Sequence, residues 1–386
     1  MNIALRALVL YCLLIGAVSA QPMELNIPQQ NLADALHSLS SQTGIQLLFN
    51  AAQIQGVSQA VEGKLKPEEA LNRMLKGTPY RYESSSAMPE VKVTGAMDSD
   101  APGNPSYTRT HASTATKSNL PIMQTPMSVQ VVPRAVMRDQ QAVQIEEVTK
   151  NVSGVFPGFT FGGLSEEFML RGFNSGFLSY RDGFRFPGAR LPLANIERVE
   201  VVKGAAANLY GRIEPGGMIN LITKRPQAQR YYSLNQQFGS YGQYQTLADV
   251  TGAMNQSGTL LYRVNFEYLN KDSFRDFGFH ERTFVAPSFT WKITPNTQFD
   301  LDFMYSKEKF QEDYGVVALG DRPAKVPRSR FLGEPADKAN LQLYNTAATL
   351  THAINNDWQV RARFNHLRRD TVDPQTTGFD LNEITG

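Results

Sequence analysis

The chain has 386 residues, with 38 Lys+Arg against 36 Asp+Glu and a formal net charge of +2, so no basic block or basic face marks it for nucleic acid. Its single cysteine, Cys12, lies in a segment expected to be removed, which leaves a mature chain without disulfide or cysteine–metal chemistry. No run after residue 20 is apolar and long enough for a transmembrane helix, so any passage through a membrane has to be made by strands.

Residues 1–20 have the layout of a secretory signal. Arg6 is the basic region, Ala7 to Ala17 the apolar core and Val18-Ser19-Ala20 the small-residue cleavage site. The apolar core is too short to span a bilayer, and Cys12 falls inside it rather than after it, so export and a mature start at Gln21 are expected. Residues 21–84 read as a small βαβ-like unit that occurs twice. Glu24 to Ile27 is a strand ended by Pro28, Asn31 caps a helix with Leu32, Ala35, Leu36 and Leu39 on one face, and Gly44 closes it before a strand over Ile45 to Phe49. The second copy starts with a strand near Val57 to Leu65. Pro67 then takes the first helical position, Glu68 and Glu69 favour the positive helix end, Leu71, Met74 and Leu75 point inward, Gly77 stops the helix and Tyr80 to Tyr82 is a strand. His37 reads as a surface helix residue rather than a ligand.

Residues 85–111, with Pro89, Pro102, Gly103 and Pro105 among Ser and Asp, cannot bury a core and read as a linker. Within it Glu90, Val91, Lys92, Val93 and Thr94 alternate as a five-residue strand, and such a lone strand offers both backbone edges to another protein. Residues 112–228 carry a mixed α/β pattern. Phe168-Met169-Leu170 is a short apolar run followed by Arg171-Gly172-Phe173. The stretch from Asn195 to Pro226 then reads strand, turn, turn, strand. Arg198 to Val202 alternates, Gly204, Gly211, Gly216 and Gly217 mark positive φ or close backbone approach, and Met218 to Thr223 is stopped by Lys224-Arg225-Pro226.

Residues 229–386 are about seven alternating strands, starting near Tyr231, Gln243, Thr259, Arg282, Thr297, Leu341 and Trp358. Tyr262, Val264, Phe266 and Tyr268 share one face, and Arg263, Asn265 and Glu267 the other. Phe299, Leu301, Phe303 and Tyr305 oppose Asp300, Asp302 and Ser306. Trp358, Val360, Ala362 and Phe364 oppose Gln359, Arg361, Arg363 and Asn365. A transmembrane barrel gives this pattern with the apolar face on lipid, and a soluble sandwich gives it with the apolar face inward. The connections discriminate: tight turns at Asn255 to Gly258, Thr294 to Thr297 and Asn355-Asn356 alternate with longer polar loops at Lys271 to Glu281 and Glu308 to Asn340, the outer-membrane arrangement.

The string from Glu197 to Pro226 (ERVEV, Lys203-Gly204, Leu209-Tyr210-Gly211, Pro215-Gly216-Gly217 and NLITKRP) closely resembles the end of the plug domain in TonB-dependent outer-membrane receptors. Thr125 to Val132 (TPMSVQVV) resembles a strand of the same domain, Asp139 to Val155 its following helix, Arg171-Gly172-Phe173 its R-G-F and Tyr180-Arg181-Asp182-Gly183 its Y-x-D-G turn, in order over about a hundred residues. The family often has Pro where Ala205 stands. Residues 21–84 resemble its secretin/TonB short N-terminal signalling domain, and Glu90 to Thr94 its TonB box.

The resemblance implies a mainly β chain: a signal peptide (1–20), an α/β signalling domain (21–84), a linker with the TonB box (85–111), a mixed α/β plug (112–228) and the first strands of a transmembrane β-barrel (229–386). Such barrels have ~22 strands. About seven cannot close round a plug, so the chain is expected to be C-terminally truncated, its rival being a short protein that oligomerises into a barrel. The implied activity is uptake of a ferric siderophore, of the ferripyoverdine or ferric-hydroxamate type, through the cell outer membrane. The implied partners are TonB with ExbB and ExbD, an inner-membrane anti-sigma regulator and outer-membrane lipid. Haem, cobalamin or a glycan as cargo, and a signalling-only product, are the alternatives.

No catalytic constellation stands out. The nucleophile-elbow and dinucleotide spacings are absent, the five His never fall four apart as a zinc helix requires, and Glu166-Glu167 and Glu146-Glu147 read as solvated carboxylates. Binding is the expected chemistry. Phe159, Phe161, Phe177, Phe186 and Arg190, with Arg185, lie on the plug segments that hold the ligand in the resembled family. Aromatic faces suit a bulky chelate and Arg its anionic oxygens. The iron arrives already chelated, so no cofactor or protein metal ligand is expected. Arg171 and Lys203 match the family's basic pair that ties plug to barrel through carboxylates on later strands. Those partners are expected beyond Gly386.

Overall fold

The computed structural model describes residues 22–44, 46–48, 57–76, 80–84, 90–95, 104–118, 120–176, 178–188, 190–204, 207–355 and 358–376. The signal segment, Cys12, Ala205 and Phe177 therefore lie outside the described residues. The chain divides into two compact units, Met1–Ala101 and Pro102–Gly386.

The first unit contains β1 (Met23–Ile27), α1 (Leu32–Thr43), β2 (Gln46–Leu48), β3 (Val61–Leu65), α2 (Pro67–Leu75), β4 (Tyr80–Ser84) and β5 (Glu90–Gly95). Asn31 caps α1 by accepting from Ala33 N at 3.0 Å, and Gly44 ends it at φ 71°. Both helices turn their apolar stripes, Leu32, Leu36 and Leu39 with Leu71 and Met74, onto Leu25, Ile27 and Val61. One expectation is corrected here. Glu90–Gly95 is not an isolated ribbon but the middle strand of the sheet β2-β5-β4, parallel to β2 and antiparallel to β4.

In the second unit β6 (His111–Ala112) pairs with β7 (Leu120–Pro121). β8 (Ser128–Pro133) leads into α3 (Arg134–Asp139) and α4 (Ile145–Thr149). Of the single helix expected over Asp139 to Val155 only the five residues of α4 form, since α3 ends at Asp139. The break between α3 and α4 falls where Gln141 takes φ 53°, and α4 starts with Glu147 accepting from Val143 N and Gln144 N. β9 (Val155–Pro157), β10 (Phe168–Leu170) and β11 (Phe173–Asn174) form a small sheet. β12 (Leu178–Arg181), β13 (Phe184–Pro187), β14 (Ile196–Lys203) and β15 (Gly217–Thr223) complete a five-stranded sheet in the order β13-β12-β15-β14-β8. β14 and β15 lie within this sheet and are almost wholly buried.

A seven-stranded antiparallel meander follows: β16 (Tyr231–Phe238), β17 (Tyr244–Ala253), β18 (Leu260–Asp272), β19 (Phe279–Thr294), β20 (Thr297–Gln311), β23 (Lys338–Ala353) and β24 (Gln359–Val372), with a small hairpin, β21 (Ala318–Leu319) and β22 (Arg322–Pro323), in the β20–β23 loop. The strands run further than their alternation indicated, so the expected loop over Lys271 to Glu281 contracts to residues 273–278. A 16-residue strand such as β19 reaches ~50 Å at ~3.3 Å per residue, well beyond the ~30 Å hydrocarbon layer. Its ends therefore stand in water and carry the polar residues that read as loop.

The polarity of this sheet is inverted relative to a soluble one. Arg263, Asn265 and Glu267 are each 1% exposed, whereas Tyr268 is 40%, Phe303 39% and Phe364 60% exposed, and Val264 and Phe266 are half-buried. The charged face packs on the plug and the aromatic face points outward, as a barrel wall requires. The inner face is not uniformly polar: Phe284, Ala286, Met304, Leu341 and Leu343 join the plug core with Val199, Val201 and Leu221. Lysine at Val264, near the middle of β18, is expected to destabilise the lipid-inserted protein by ~2–4 kcal/mol. Urea titration from lipid vesicles measures this, and an unchanged midpoint would mean that this face does not meet lipid.

Candidate functional site

Two neighbouring ion-pair clusters help to tie the plug to the sheet. Lys224, the first residue after β15, donates from Nζ to Asp249 Oδ2 at 2.8 Å, Asn265 Oδ1 at 3.1 Å and Ala194 O at 2.7 Å. Arg263 grips the same carboxylate twice, Nε to Oδ1 and Nη2 to Oδ2, both at 2.8 Å, and donates to Arg225 O at 2.9 Å. Beside it, Arg225 reaches Asp302 at 2.8 Å and Asp182 at 3.5 Å. Asp182 also accepts from Thr223 N and Oγ1 at 3.0 and 2.7 Å. Burial alone would raise the Asp182 carboxyl, but Arg225, Arg181 and the Thr223 bonds outweigh it and hold it below the usual carboxylate range. These ties were not picked out in the sequence. The signal for them was present: two cations directly after the plug's last strand, and acids at inward positions of the first strands.

Arg171 and Lys203 are not part of these clusters. Arg171 is exposed at φ 52°, and among the described residues it pairs with no carboxylate. Lys203 donates to Gln130 Oε1 at 2.8 Å and Ser153 Oγ at 2.9 Å. Partial burial, and then the neighbouring Arg171, lower the Lys203 ammonium from its ordinary value.

At the opposite end the plug apex meets the strand ends. Gly162 O accepts from Asp313 N at 3.1 Å. Phe159 and Phe161 are 54% and 41% exposed and stack edge-to-face at 4.7 Å, with Tyr314 6.4 Å from Phe159. Beside them opens a cavity of about 420 Å³ lined by Arg190, Lys271, Phe274, Arg275, Phe310 and Phe331 among others, within the size range of small-molecule sites. Arg190 is 7% exposed, donates to Gly163 O at 2.6 Å and lies 5.3 Å over the Phe310 ring. Arg275 pairs with Asp313 at 2.9 Å. The expected ligand residues thus divide. Phe159, Phe161 and Arg190 gather at this mouth, and Arg185 is exposed on β13. Phe186 is 1% exposed inside the plug core and is a packing residue: the alternation of β13 turns it inward.

Behind the mouth the wall is charged and dry. Arg282 lies 3.1 Å from Glu308 and 3.5 Å from Glu267, and His280 is 2.8 Å from Glu308. Glu166 and Glu167, expected to be solvated, are 8% and 6% exposed. Glu167 accepts from Phe159 N at 2.9 Å, which shapes the apex. Glu166 Oε2 lacks a partner, and burial raises its carboxyl to about 7, against the lowering pull of Arg190 and Arg282, while Glu308 and Glu146 add to the rise. A carboxyl raised by burial contributes stability that is full below its unfolded value of 4.5 and lost as pH rises through about 7. Glu166→Gln is therefore expected to flatten the fall in stability between these pH values and to stabilise the protein at pH 8 by up to ~3 kcal/mol. Urea midpoints against pH check this, and an unaltered slope would count against it. Among the described residues no group of three His, Cys, Asp or Glu is spaced to hold a metal ion.

The sequence matches the TonB-dependent Receptor Plug Domain over residues 121–218. It is 35% identical over 305 residues to the metal-pseudopaline receptor CntO of Pseudomonas aeruginosa (strain UCBPP-PA14), covering 75% of this chain and 42% of that protein. It is 27% identical over 386 residues to the ferripyoverdine receptor of P. aeruginosa PAO1, covering 92% of this chain and 47% of the relative. The fold is like that in the crystal structure of the ferripyoverdine receptor of the P. aeruginosa outer membrane bound to ferripyoverdine, with TM-score 0.68, 24% identity, and 92% of this chain and 48% of that one covered. The chain spans less than half the length of each of these proteins.

Proposed function

Because this chain is a homologue of the TonB-dependent receptors and carries their plug domain, we propose that it acts as an outer-membrane receptor that captures a metal–siderophore chelate and imports it with energy supplied through TonB. The observation that carries this reading is the inverted sheet. Arg263, Asn265 and Glu267 are buried against the plug while Tyr268, Phe303 and Phe364 face outward. A wall of this polarity is costly in water and suited to lipid. The mouth cavity, with Arg190, Lys271 and Arg275 among Phe274, Phe310 and Phe331, fits an anionic chelate with apolar bulk. The metal comes bound to its chelator, so transport needs no resident cofactor and no catalysis.

The N-terminal unit is read as the signalling domain, acting in the periplasm on an anti-sigma regulator in the inner membrane. Glu90–Gly95 is read as the TonB box. Both of its backbone edges are taken, by β2 and β4, so TonB can add a strand there only after β5 leaves the sheet. In this reading, engagement by TonB and release of the signalling unit are one event. Growth tests the function. A strain lacking the gene, starved of iron and given single siderophores, should fail on at least one that supports the complemented strain. Equal growth on every siderophore of a broad panel, with labelled chelate uptake also unchanged, would refute transport.

A further inference from the structure

Apart from the chelate cavity, the outer ends of three neighbouring strands bring like charges together. Glu312 directly follows β20, Asp337 directly precedes β23 and Asp373 directly follows β24. Gln311 is the register partner of Lys338, and Asn340 that of Val372, so the three carboxylates meet where the strands still run side by side. Glu312 and Gln311 are 6% and 7% exposed, yet Oε1 of each lacks a hydrogen-bond partner. So do Asp337 Oδ2, Asn340 Oδ1 and Asp373 Oδ1. Unless protonated, each of these oxygens is an acceptor, and buried acceptors left unpaired are costly. The donors at hand are spent on other atoms: Tyr314 Oη on Glu312 Oε2 at 3.2 Å, Gln375 Nε2 on Asp373 Oδ2 at 2.6 Å, and the Gln311 amide on Glu334 O and Asp337 O. Burial, a side-chain hydrogen bond with Asp373 and the charges of Asp373 and Asp337 push Glu312 up to about 8, against the lowering bond from Tyr314, so near neutral pH Glu312 and Asp373 share a proton. A cavity of about 170 Å³ is lined by Gln311, Glu312 and Asp337 of these groups, with Tyr314 and Phe331, and it shares Gln311, Asp313 and Phe331 with the chelate cavity.

We propose that this second cavity is a subsite for an organic cation, a primary ammonium or guanidinium carried on an arm of the captured chelate. An occupant that only donates replaces the proton shared by Glu312 and Asp373 and answers the open oxygens of Gln311 and Asp337; an ammonium offers three N–H groups and a guanidinium five. The faces of Phe331 and Tyr314 add cation–π attraction. A bare metal ion is a poorer occupant, because no group of three His, Cys, Asp or Glu among the described residues is spaced to hold one. The cavity adjoins the chelate site, so an arm reaches it while the metal centre stays at the plug apex. The inference rests on the receptor reading only in naming the cation's natural carrier.

The test uses the full chain purified from membranes in detergent, with n-butylammonium and n-butanol as probes of the same apolar length. Saturation-transfer NMR is expected to give about tenfold more signal for the ammonium, from charge-assisted bonds that the alcohol cannot make. In Glu312→Gln/Asp373→Asn the ammonium signal should fall to that of the alcohol. Asp337→Asn, which keeps the Glu312–Asp373 pair, should lose part of it and serves if the double variant does not fold. Equal signals for both probes in the native protein, or an ammonium signal indifferent to these changes, would overturn the subsite. Failure of siderophore uptake with the ammonium signal intact would instead overturn the receptor reading.

Discussion

Replacing Gly217 by alanine is expected to prevent the plug from folding, whereas the same change at Gly211 leaves it folded. Both residues have positive φ, +130° at Gly217 and +74° at Gly211, so each alanine meets backbone strain; for a single residue in the left-handed region that is ~1–2 kcal/mol. The difference lies in what surrounds them. A Cβ at Gly211 has nothing within 4 Å, whereas at Gly217 it would sit 2.1 Å from Val202 O and 3.0 Å from Lys203 Cα. Both obstacles are backbone of β14, the strand that pairs with β15 through Lys203↔Gly217 and Val202↔Met218. Neither can move without breaking register in the middle of the five-stranded sheet. Gly216 is as tightly held, its Cβ falling 2.1 Å from Leu170 O. A clash of this kind belongs with the rare substitutions that cost more than ~4 kcal/mol, against a total stability of ~5–15 kcal/mol for a domain. Protease digestion of membranes from cells expressing each variant reads the outcome. Gly211→Ala should keep a resistant plug fragment and Gly217→Ala should lose it. A resistant Gly217→Ala plug would mean that this turn is not as close as the structure has it.

The turn is also where the sequence was most legible. Glycines in a fixed order between two short strands specify backbone conformation, and backbone conformation is local. The same holds for Asn31, Gly44 and Pro67 around the first unit's helices, and for the alternation of Arg263, Asn265 and Glu267. What the sequence withheld depends on contacts between distant segments. Phe159 and Phe186 are both aromatics on plug segments beside the mouth, but β13 turns Phe186 into the core while the apex leaves Phe159 bare. Glu166 and Glu167 look like solvated carboxylates until the wall carrying Arg282 and Glu308 closes over them. Glu90–Gly95 looks like a free strand because its parallel partner, β2, lies far back in the chain; its other neighbour, β4, is the strand just before it. Lys224 and Arg225 tie the plug to the described strands, whereas Arg171 and Lys203, whose partners were expected beyond Gly386, meet no carboxylate among the described residues. No local pattern separates one pair from the other, since the acids that decide it lie 25 and 77 residues further along the chain.

That choice of pair sets the second large effect. Asp249→Ala is expected to loosen the plug far more than Lys224→Met does, although the two changes break the same ion pair. Asp249 is the shared anion of Lys224 and Arg263, with 6% and 1% side-chain exposure respectively. Removing it strands two buried cations, and losing one partner of a buried pair costs ~3–5 kcal/mol. Removing Lys224 leaves Asp249 still held at two points by Arg263, so the loss is confined to the contacts of one ammonium. The double variant Asp249→Ala/Lys224→Met should then be more stable than Asp249→Ala alone, because it takes away one of the stranded charges. Urea midpoints of the protein in detergent measure all three, and proteolysis of the plug gives an independent reading. Equal losses for the two single changes, or a double variant that simply adds them, would mean that Asp249 does not hold the two cations jointly. The sign of this coupling bears on how far the plug can move. If Asp249 anchors Lys224 and Arg263 together, the segment after β15 stays fixed to β17 and β18, and movement of the plug is confined to the part before it.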